Sequence, residues 1–495
     1  MMQKSILLVT VDCLRPDHLG FMGYPRPTTP FLDALATESS VVPAAIVAGT
    51  PTYYSVPSIF SSRHPLALGR EVLGLAPGEP TLASTLKQAG YATAAFSAAN
   101  PYISSRFGYE QGFDCFCDFL EAESAPLPEE TDSRVDRWAT RLNQRLQKTR
   151  SSVSPLRVLY DELYFQYCQR ITPEPPSLDA LRRFPAADVL VDRACSWLDS
   201  IGNVPFFLWL HLMDPHSPYY PKAEARSFMG EKPITPYRAR YLNSSWNRSD
   251  LSAGRLVHYR DDVVALYDAG IRWVDLQLSR LVDRLRTSNQ WERCVLALTA
   301  DHGEEFLEHG GRFHPPSRLT EELIHVPLLL RVPGTQKKTL PNSPFSLLDL
   351  APTLLDTVGL PSPAEFQGES RWPQIQQAVF NDAPAITECV AGCTNPFHPE
   401  GRMGPRMLSV RDERFKLVLH FEPAGESLYD LEADPGEHAP LNVATQKPVR
   451  RRLMERALEH LRHSIAQRNV EHRLRARLRD LRLEWERSYP RRVAI

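Results

Sequence analysis

The chain has 495 residues, of which 42% are hydrophobic and 23% charged, and its formal net charge is −2. These values are ordinary for a globular protein of two or three domains. The near-zero net charge gives no general attraction to nucleic acid, and no apolar run approaches the ~20 residues that cross a bilayer. We therefore expect neither a nucleic-acid partner nor a transmembrane segment.

The first predicted element is a buried parallel strand over Ser5–Val11, because this run is continuous, rich in β-branched residues and ends in polar residues. Further strands are predicted over 91–96, 205–212, 295–299 and 326–331. Helices are predicted over 81–90, 187–198 and 265–285. Alternation of strands and helices indicates an α/β fold with a mostly parallel central sheet and helices on both faces.

Two segments interrupt this alternation. Residues 120–181 are rich in Glu, Arg and Pro and are predicted to form a helical insertion or lid. Residues 447–495 hold fifteen Lys or Arg against six Asp or Glu, which predicts an arginine-rich helical tail and a homo-oligomer contact. Residues 1–119 and 182–360 then form the catalytic domain, and 361–446 form a smaller C-terminal α+β subdomain.

The eight cysteines show no spacing typical of a disulfide framework. Asp12 and Arg15 end the first apolar run early, and no signal-peptide cleavage pattern follows it. We therefore expect a cytoplasmic protein with reduced thiols.

Acidic and imidazole side chains follow three of the predicted strands. Asp12 follows the first strand, 211–216 read His-Leu-Met-Asp-Pro-His, and Asp301 and His302 follow the strand over 295–299. A single Asp in such a place often caps a helix, but ligands of parallel sheets bind at the carboxyl ends of strands. Three such groups predict a site for one divalent cation, with Ca²⁺, Mg²⁺, Mn²⁺ and Zn²⁺ all open.

The segment 49–58 is dense in hydroxyl side chains. Ser55 precedes Pro57 and is predicted to cap a helix that begins near this proline. The N-terminus of such a helix offers backbone N–H groups to an anion. The sequence thus places a hydroxyl beside a predicted anion site.

Several motifs occur in a fixed order from Ile6 to about Leu441. They lie at 11–20, 210–219, 299–304, 322–327, 348–353 and 428–436. Together they resemble the sulfatase family, within the alkaline-phosphatase-like superfamily.

The resemblance assigns expected roles to the polar residues. Asp12, Asp301 and His302 are expected to bind one divalent metal ion. His211, His216 and His314 are expected to contact an anionic ester.

Ser55 falls where the family places its nucleophile, a Cys or Ser in the pattern Cys/Ser-x-Pro-Ser-Arg. In sulfatases this residue is oxidised to formylglycine, whose hydrate attacks sulfur with one hydroxyl and eliminates sulfate with the other. The resemblance thus implies cleavage of a sulfate ester of a small molecule or glycan. An unmodified Ser55 implies instead a phosphodiesterase, a phosphonate ester hydrolase or a phosphotransferase, and a non-catalytic binding protein is the third alternative.

The chain departs from the family pattern at three places. Cys13 stands where many members carry a second metal Asp, and we expect it to pack rather than to bind metal. Ile59 replaces the motif Arg, for which Arg63 is a candidate substitute in substrate binding. The usual Lys near His314 is absent, and Arg318 is the candidate there.

Overall fold

The computed structural model describes residues 3–70, 72–120, 154–380, 383–397, 399–465 and 470–488. The strands are Ser5–Val11 (β1), Ser40–Ile46 (β2), Ala92–Ser97 (β3), Cys115–Cys117 (β4), Phe206–Leu212 (β5), Cys294–Ala300 (β6), Glu305–Phe306 (β7), Arg312–Phe313 (β8), His325–Arg331 (β9), Phe345–Ser346 (β10), Ala385–Val390 (β11), Arg406–Arg411 (β12), Phe415–Phe421 (β13) and Ala424–Asp430 (β14).

The α-helices are Pro30–Ala36 (α1), Thr52–Ser61 (α2), Leu82–Gln88 (α3), Ser154–Ile171 (α4), Ala187–Ile201 (α5), Ala223–Phe228 (α6), Pro236–Trp246 (α7), Ala253–Thr287 (α8), Glu321–Ile324 (α9), Leu350–Thr357 (α10), Trp372–Gln377 (α11), Pro399–Arg402 (α12), Lys447–Ile465 (α13) and Val470–Ser488 (α14). Short 3₁₀ helices are Pro16–His18, Gly20–Met22, Ser105–Phe107, Asp179–Leu181, Trp291–Arg293 and Leu347–Asp349.

The central sheet has eight strands in the order β10-β2-β9-β6-β1-β5-β3-β4. Strand β1 pairs in parallel with β5 and β6, and β3 pairs in parallel with β4 and β5. Strand β9 runs antiparallel to both of its neighbours, β2 and β6. The prediction of a mostly parallel sheet is confirmed, and β9 is the exception because an apolar run does not encode strand direction.

The helices of the α/β domain contact one another in two groups. Helices α1, α5, α6 and α7 pack on the long helix α8, whereas α2, α3 and α11 pack on α10. The first strand is buried over its whole length, as are β5 and β6. The predicted α/β class with helices on both faces of the sheet is therefore confirmed.

A smaller antiparallel sheet, β11-β12-β13-β14, follows in the C-terminal part of the chain. Leu453 and Ala457 of α13 pack against this sheet, and Ala476 of α14 packs against Leu68 and Val72. The described parts of the tail, 447–465 and 470–488, are thus helical and lie on the body of their own chain. An oligomer contact through the tail stays a prediction.

The predicted insertion is described in part. Residues 121–153 lie outside the described residues, and α4 follows them. The role of the insertion as a lid stays a prediction. No helix in the described part of the chain is long and apolar enough to span a membrane. The eight cysteines are free thiols, and the cytoplasmic location stays a prediction.

Candidate active site

Three of the predicted metal ligands meet at the carboxyl edge of the central sheet. Val11 at the end of β1 pairs with Ala300 at the end of β6, so the next residues, Asp12 and Asp301, lie side by side. His302 Nε2 lies 3.6 Å from Asp12 Oδ1 and 3.6 Å from Asp301 Oδ2. The structure therefore brings together the set Asp12, Asp301 and His302, and all three are fully buried.

The carboxylate and imidazole atoms of this group are suitable ligands for a divalent cation. Asp301 Oδ2 and His211 Nε2 are buried and have no hydrogen-bond partner among the described residues. Burial and the charge of Asp12 raise the pKa of Asp301. Burial opposes ionisation of Asp12 as well, but His216, His211 and His302 hold its pKa well below the usual range. Two adjacent buried carboxylates beside imidazoles are stabilised by a bound cation.

The neighbours of these ligands fix their orientation. His302 Nδ1 donates a hydrogen bond to the Gly303 carbonyl at 2.8 Å, which leaves the Nε2 lone pair towards the carboxylates. Asn100 Nδ2 donates to Asp12 Oδ2 at 3.0 Å. Sequence reasoning missed Asn100, although it follows β3 at the same edge of the sheet.

His211 belongs to this cation site. It was expected to contact the ester, but its Nε2 lies 3.5 Å from Asp12 Oδ2 and its side chain is fully buried. Its Nδ1 hydrogen-bonds Thr10 Oγ1 at 2.9 Å. Since β5 lies next to β1, His211 near the end of β5 lies beside the carboxylates of Asp12 and Asp301, and ligand atoms of these three residues lie within 4.8 Å of one another.

Thr52, rather than Ser55, carries the hydroxyl beside this site. Thr52 is the first residue of α2, and its Oγ1 lies 3.1 Å from His302 Nε2. Ser55 lies one turn further along the helix, and its buried Oγ has no hydrogen-bond partner in the described ranges. The expected helix start near Pro57 is wrong, because Pro51 is the N-cap and Pro57 lies inside α2.

A cavity of about 480 Å³ opens next to Thr52. Polar residues on its wall are Thr52, Asn100, His216 and His314. Aromatic and apolar residues complete the wall, among them Tyr53, Tyr102, Met213, Phe313 and Pro316. Ser55 is not part of the wall. His216 and His314 therefore lie where the resemblance places contacts to the ester.

The prediction that Arg63 binds substrate is wrong. Arg63 is 3% exposed and forms a buried ion pair with Glu79. Its Nη2 donates to the Gly74 carbonyl at 2.8 Å, so the guanidinium fixes the chain after α2.

The prediction for Arg318 is also not supported by its position. Its Nη1 is paired with Glu305 at 2.5 Å, and it is absent from the described cavity wall. Arg312 lies in that wall instead, but its guanidinium already donates to the backbone carbonyls of Trp246 and Arg248. The cavity thus offers an ester no uncommitted guanidinium among these three arginines.

Comparison with known families gives two matches along the chain. Residues 4–360 match the family model described as Sulfatase. Residues 312–464 match the model described as N-sulphoglucosamine sulphohydrolase, C-terminal. The first match covers the whole α/β domain, including Asp12, Thr52 and Asp301.

Curated relatives are about one quarter identical to the chain over the segments that align. Arylsulfatase K of Bos taurus is 27% identical over 291 residues, which is 52% of this chain and 51% of the relative. N-acetylglucosamine-6-O-sulfatase of Bacteroides thetaiotaomicron is 27% identical over 197 residues, 39% of this chain and 35% of the relative. The chain thus spans about half the length, or less, of the curated relatives it matches.

Among solved structures, the phosphonate monoester hydrolase of Agrobacterium radiobacter has a similar fold. The TM-score is 0.64 at 19% identity, and the match covers 94% of this chain and 96% of that protein. This similarity concerns the fold alone.

Proposed function

Because the chain belongs to the sulfatase family, as the match over residues 4–360 shows, we propose that it is a cation-dependent hydrolase in which Thr52 attacks the phosphorus of a phosphate- or phosphonate-type ester. The observation that carries this proposal is the position of Thr52 Oγ1, 3.1 Å from His302 Nε2 at the start of α2. Asp12, Asp301, His302 and His211 are the residues that would hold the cation.

The chemistry of threonine favours phosphorus over sulfur. Formylglycine is an aldehyde made from the primary carbon of Cys or Ser, whereas Cβ of Thr52 also carries a methyl group. Oxidation of threonine gives a ketone, so the sulfatase hydrate is not available at this position. A sulfated threonine has no second hydroxyl to eliminate sulfate, but a phosphorylated threonine is hydrolysed by attack of water on phosphorus.

The reaction consists of two successive displacements at phosphorus. In the first, the Thr52 Oγ–P bond forms as the bond from phosphorus to the leaving oxygen breaks, and the hydroxyl proton of Thr52 passes to the leaving oxygen. In the second, water attacks phosphorus, the Oγ–P bond breaks, and one proton of the water returns to Thr52 Oγ. The cation that Asp12, Asp301, His302 and His211 would hold would lower the pKa of the Thr52 hydroxyl and offset charge on the ester oxygens. In the first turn of α2, the N–H groups of Tyr54 and Ser55 donate to the Pro51 carbonyl, so the preceding N–H groups of Thr52 and Tyr53 are the further donors for these oxygens.

The cavity wall favours a monoanionic substrate with an organic group. Tyr53, Tyr102 and Phe313 provide apolar surface, and the guanidinium of Arg312 is held by backbone carbonyls. A phosphodiester or a phosphonate monoester carries one negative charge and a second carbon substituent, which this surface accommodates better than a dianionic phosphomonoester.

Hydrolysis of a sulfate ester is the second candidate function. It is supported by the relatives named arylsulfatase and N-acetylglucosamine-6-O-sulfatase, which also suggest a small-molecule or glycan substrate. On this alternative Ser55, oxidised to formylglycine, is the nucleophile despite its position one turn inside α2.

Turnover of bis(p-nitrophenyl) phosphate and p-nitrophenyl sulfate by matched variants tests the two candidates. We expect Thr52→Ala to lower kcat/KM on the phosphodiester about 10³-fold, since it removes the nucleophile. Ser55→Ala should stay within about tenfold of wild type, because it removes one buried hydroxyl without a partner.

Intact mass spectrometry can detect the result that would contradict Thr52 as the nucleophile. Loss of about 2 Da at Ser55 together with turnover of the sulfate, abolished in Ser55→Ala, would overturn the role of Thr52. Trapping of a phosphorylated Thr52 in quenched reactions would support it.

A further inference from the structure

A second group of potential metal ligands lies between the cation site and the cavity. Ligand atoms of Cys13, His216 and His314 all lie within 4.8 Å of one another. Cys13 Sγ lies 3.5 Å from His314 Nδ1, and the rings of His216 and His314 are 5.2 Å apart between centroids. Both imidazoles line the cavity. The group therefore combines one thiol and two imidazoles at a place that substrate can reach.

Glu304 gives independent support for a cation at this place. Its carboxylate is fully buried, and neither oxygen accepts a hydrogen bond of normal geometry within the part of the chain that the structure describes, although the Cys13 thiol and the Tyr219 hydroxyl lie beside it. Glu304 Oε1 lies 3.5 Å from His314 Nδ1. A buried carboxylate without donors is strongly destabilising unless a positive charge lies beside it.

The backbone holds the ligands of this group in place. Cys13 adopts a left-handed conformation with φ of 62°, and its carbonyl accepts a hydrogen bond of 2.7 Å from the Tyr267 hydroxyl. A β-carbon-bearing residue rarely takes this conformation, so the fold determines the direction of the thiol. His216 Nδ1 donates to the Ser217 carbonyl, which leaves Nε2 as its ligand atom.

We propose that Cys13, His216 and His314, with Glu304 behind them, form a second metal site that binds a thiophilic divalent cation such as Zn²⁺. Thiolate and imidazole are ligands that Zn²⁺ prefers, whereas Ca²⁺ and Mg²⁺ prefer oxygen. Three protein ligands beside an open cavity are typical of a catalytic zinc site, which keeps one position for water or substrate. The two sites adjoin, because Cys13 Sγ donates to Asp12 Oδ1 at 3.2 Å and also lies close to His302. The first site differs in its two carboxylates, Asp12 and Asp301.

This site changes the expected role of two histidines. His216 and His314 become metal ligands, and the ester then meets a second positive charge instead of bare imidazoles. That consequence rests on the proposed function, but the existence of the site does not. The proposed site also contradicts the expectation that Cys13 packs against its neighbours and does not bind metal.

Metal content and absorption spectra of the full-length protein test the site. We expect wild type loaded with Zn²⁺ to retain two ions per chain after dialysis, and Cys13→Ala to retain one. With Co²⁺ in place of Zn²⁺, wild type should show a thiolate-to-cobalt charge-transfer band that Cys13→Ala lacks. Cys294→Ala is the matched control, since Cys294 is equally buried but lies at the start of β6, and it should keep both ions and the band.

A second pair of variants assigns the ions to the two sites. His314→Ala should lose the same ion as Cys13→Ala, whereas Asp301→Asn should lose the other ion and keep the band. Thermal unfolding of each apo variant checks that it is folded. One ion per chain in wild type, or a band that survives in Cys13→Ala, would overturn the second site.

The same data separate this inference from the proposed function. Two ions and a thiolate band without turnover of the phosphodiester would refute the function and retain the site. One ion with Thr52-dependent turnover would refute the site and retain the function.

Discussion

Two buried clusters of carboxylates and imidazoles in this chain differ in how their charges are paired. The catalytic cluster lies at the carboxyl edge of the central sheet and contains Asp12, Asp301 and His302. The tail junction consists of His64, Glu388 and His460, where α13 meets β11. Ligand atoms of Asp12, Asp301 and the neighbouring His211 lie within 4.8 Å of one another, as do those of His64, Glu388 and His460, so each cluster is compact enough to hold a metal ion.

The pairing of the carboxylates separates the two clusters. At the tail junction, Glu388 Oε1 accepts hydrogen bonds from the guanidinium of Arg406 and from His460 Nε2. Although burial opposes it, these cations hold the pKa of Glu388 well below its usual range. In the catalytic cluster, Asp301 Oδ2 has no such donor within the described ranges. A buried charge that other groups of the protein neutralise indicates a structural role. A buried charge without such a partner indicates that a ligand binds there.

The largest expected effect comes from Asp301→Asn. It should lower kcat/KM about 10³-fold or more, because the cation loses a ligand. In the metal-free protein the same change should raise the unfolding temperature, since it removes one of two adjacent buried charges. Calorimetry with and without metal, beside steady-state kinetics, measures both effects. A near-normal rate with bound metal would contradict the assignment of the cation site.

Glu388→Gln should lower stability and leave activity nearly unchanged, in contrast to the effects expected for Asp301→Asn. It removes the charge of a fully buried carboxylate that Arg406 and His460 face, so the free energy of unfolding should fall by about 3–5 kcal/mol. Activity at a temperature well below the unfolding midpoint should stay near that of wild type. Denaturant titration measures the loss of stability.

The matched control for this prediction is Glu426→Gln, because Glu426 of β14 also pairs with a residue of α13. Glu426 forms a partly exposed ion pair of 2.8 Å with Arg450 of α13, and its loss should cost about 0–1 kcal/mol. If the two variants were equally stable, the tail junction would not be held by its buried charges.

The contrast between the clusters also shows what the sequence allowed us to predict. Asp12, Asp301 and His302 were predictable, because residues that follow neighbouring parallel strands meet at one edge of the sheet. The tail junction was not predictable, since Glu388 and His460 lie far apart in the chain and on no shared periodic pattern. Its contacts depend on how α13 packs against the second sheet.

Thr52 and Arg63 were misjudged for a related reason. Counting from Pro57 gave a helix start too late in the chain, whereas Pro51 is the N-cap and Thr52 the first helical residue. Arg63 is close to Ser55 in sequence, but Ser62 takes a left-handed conformation with φ of 47° and the chain turns away towards Glu79. At both ends of α2, closeness in the sequence was therefore a poor guide to closeness in the folded protein.

The smallest expected effect is the pH dependence of the tail junction. Burial and the nearby charge of His460 lower the pKa of His64 from 6.5 to about 3. Between these values the unfolded chain binds a proton that the folded chain does not, so stability should fall as the pH drops from about 6.5 towards 3. Glu388 and Arg406 also face this ring, and the pKa of Glu388 is held well below its usual range. The contribution of His64 should reach about 2 kcal/mol near pH 5.

The variant His64→Gln isolates this contribution, because it cannot take up a proton in either state. Its free energy of unfolding should therefore depend less on pH than that of wild type between about pH 6.5 and pH 4, with the two curves parallel above pH 7. Denaturant titrations at several pH values measure the difference. Equal slopes would show that His64 is protonated in the folded protein, in which case the buried charge of Glu388 is shared by three cations rather than two. The tail junction would then accept a third positive charge at no cost in stability, which would sharpen its contrast with the catalytic cluster.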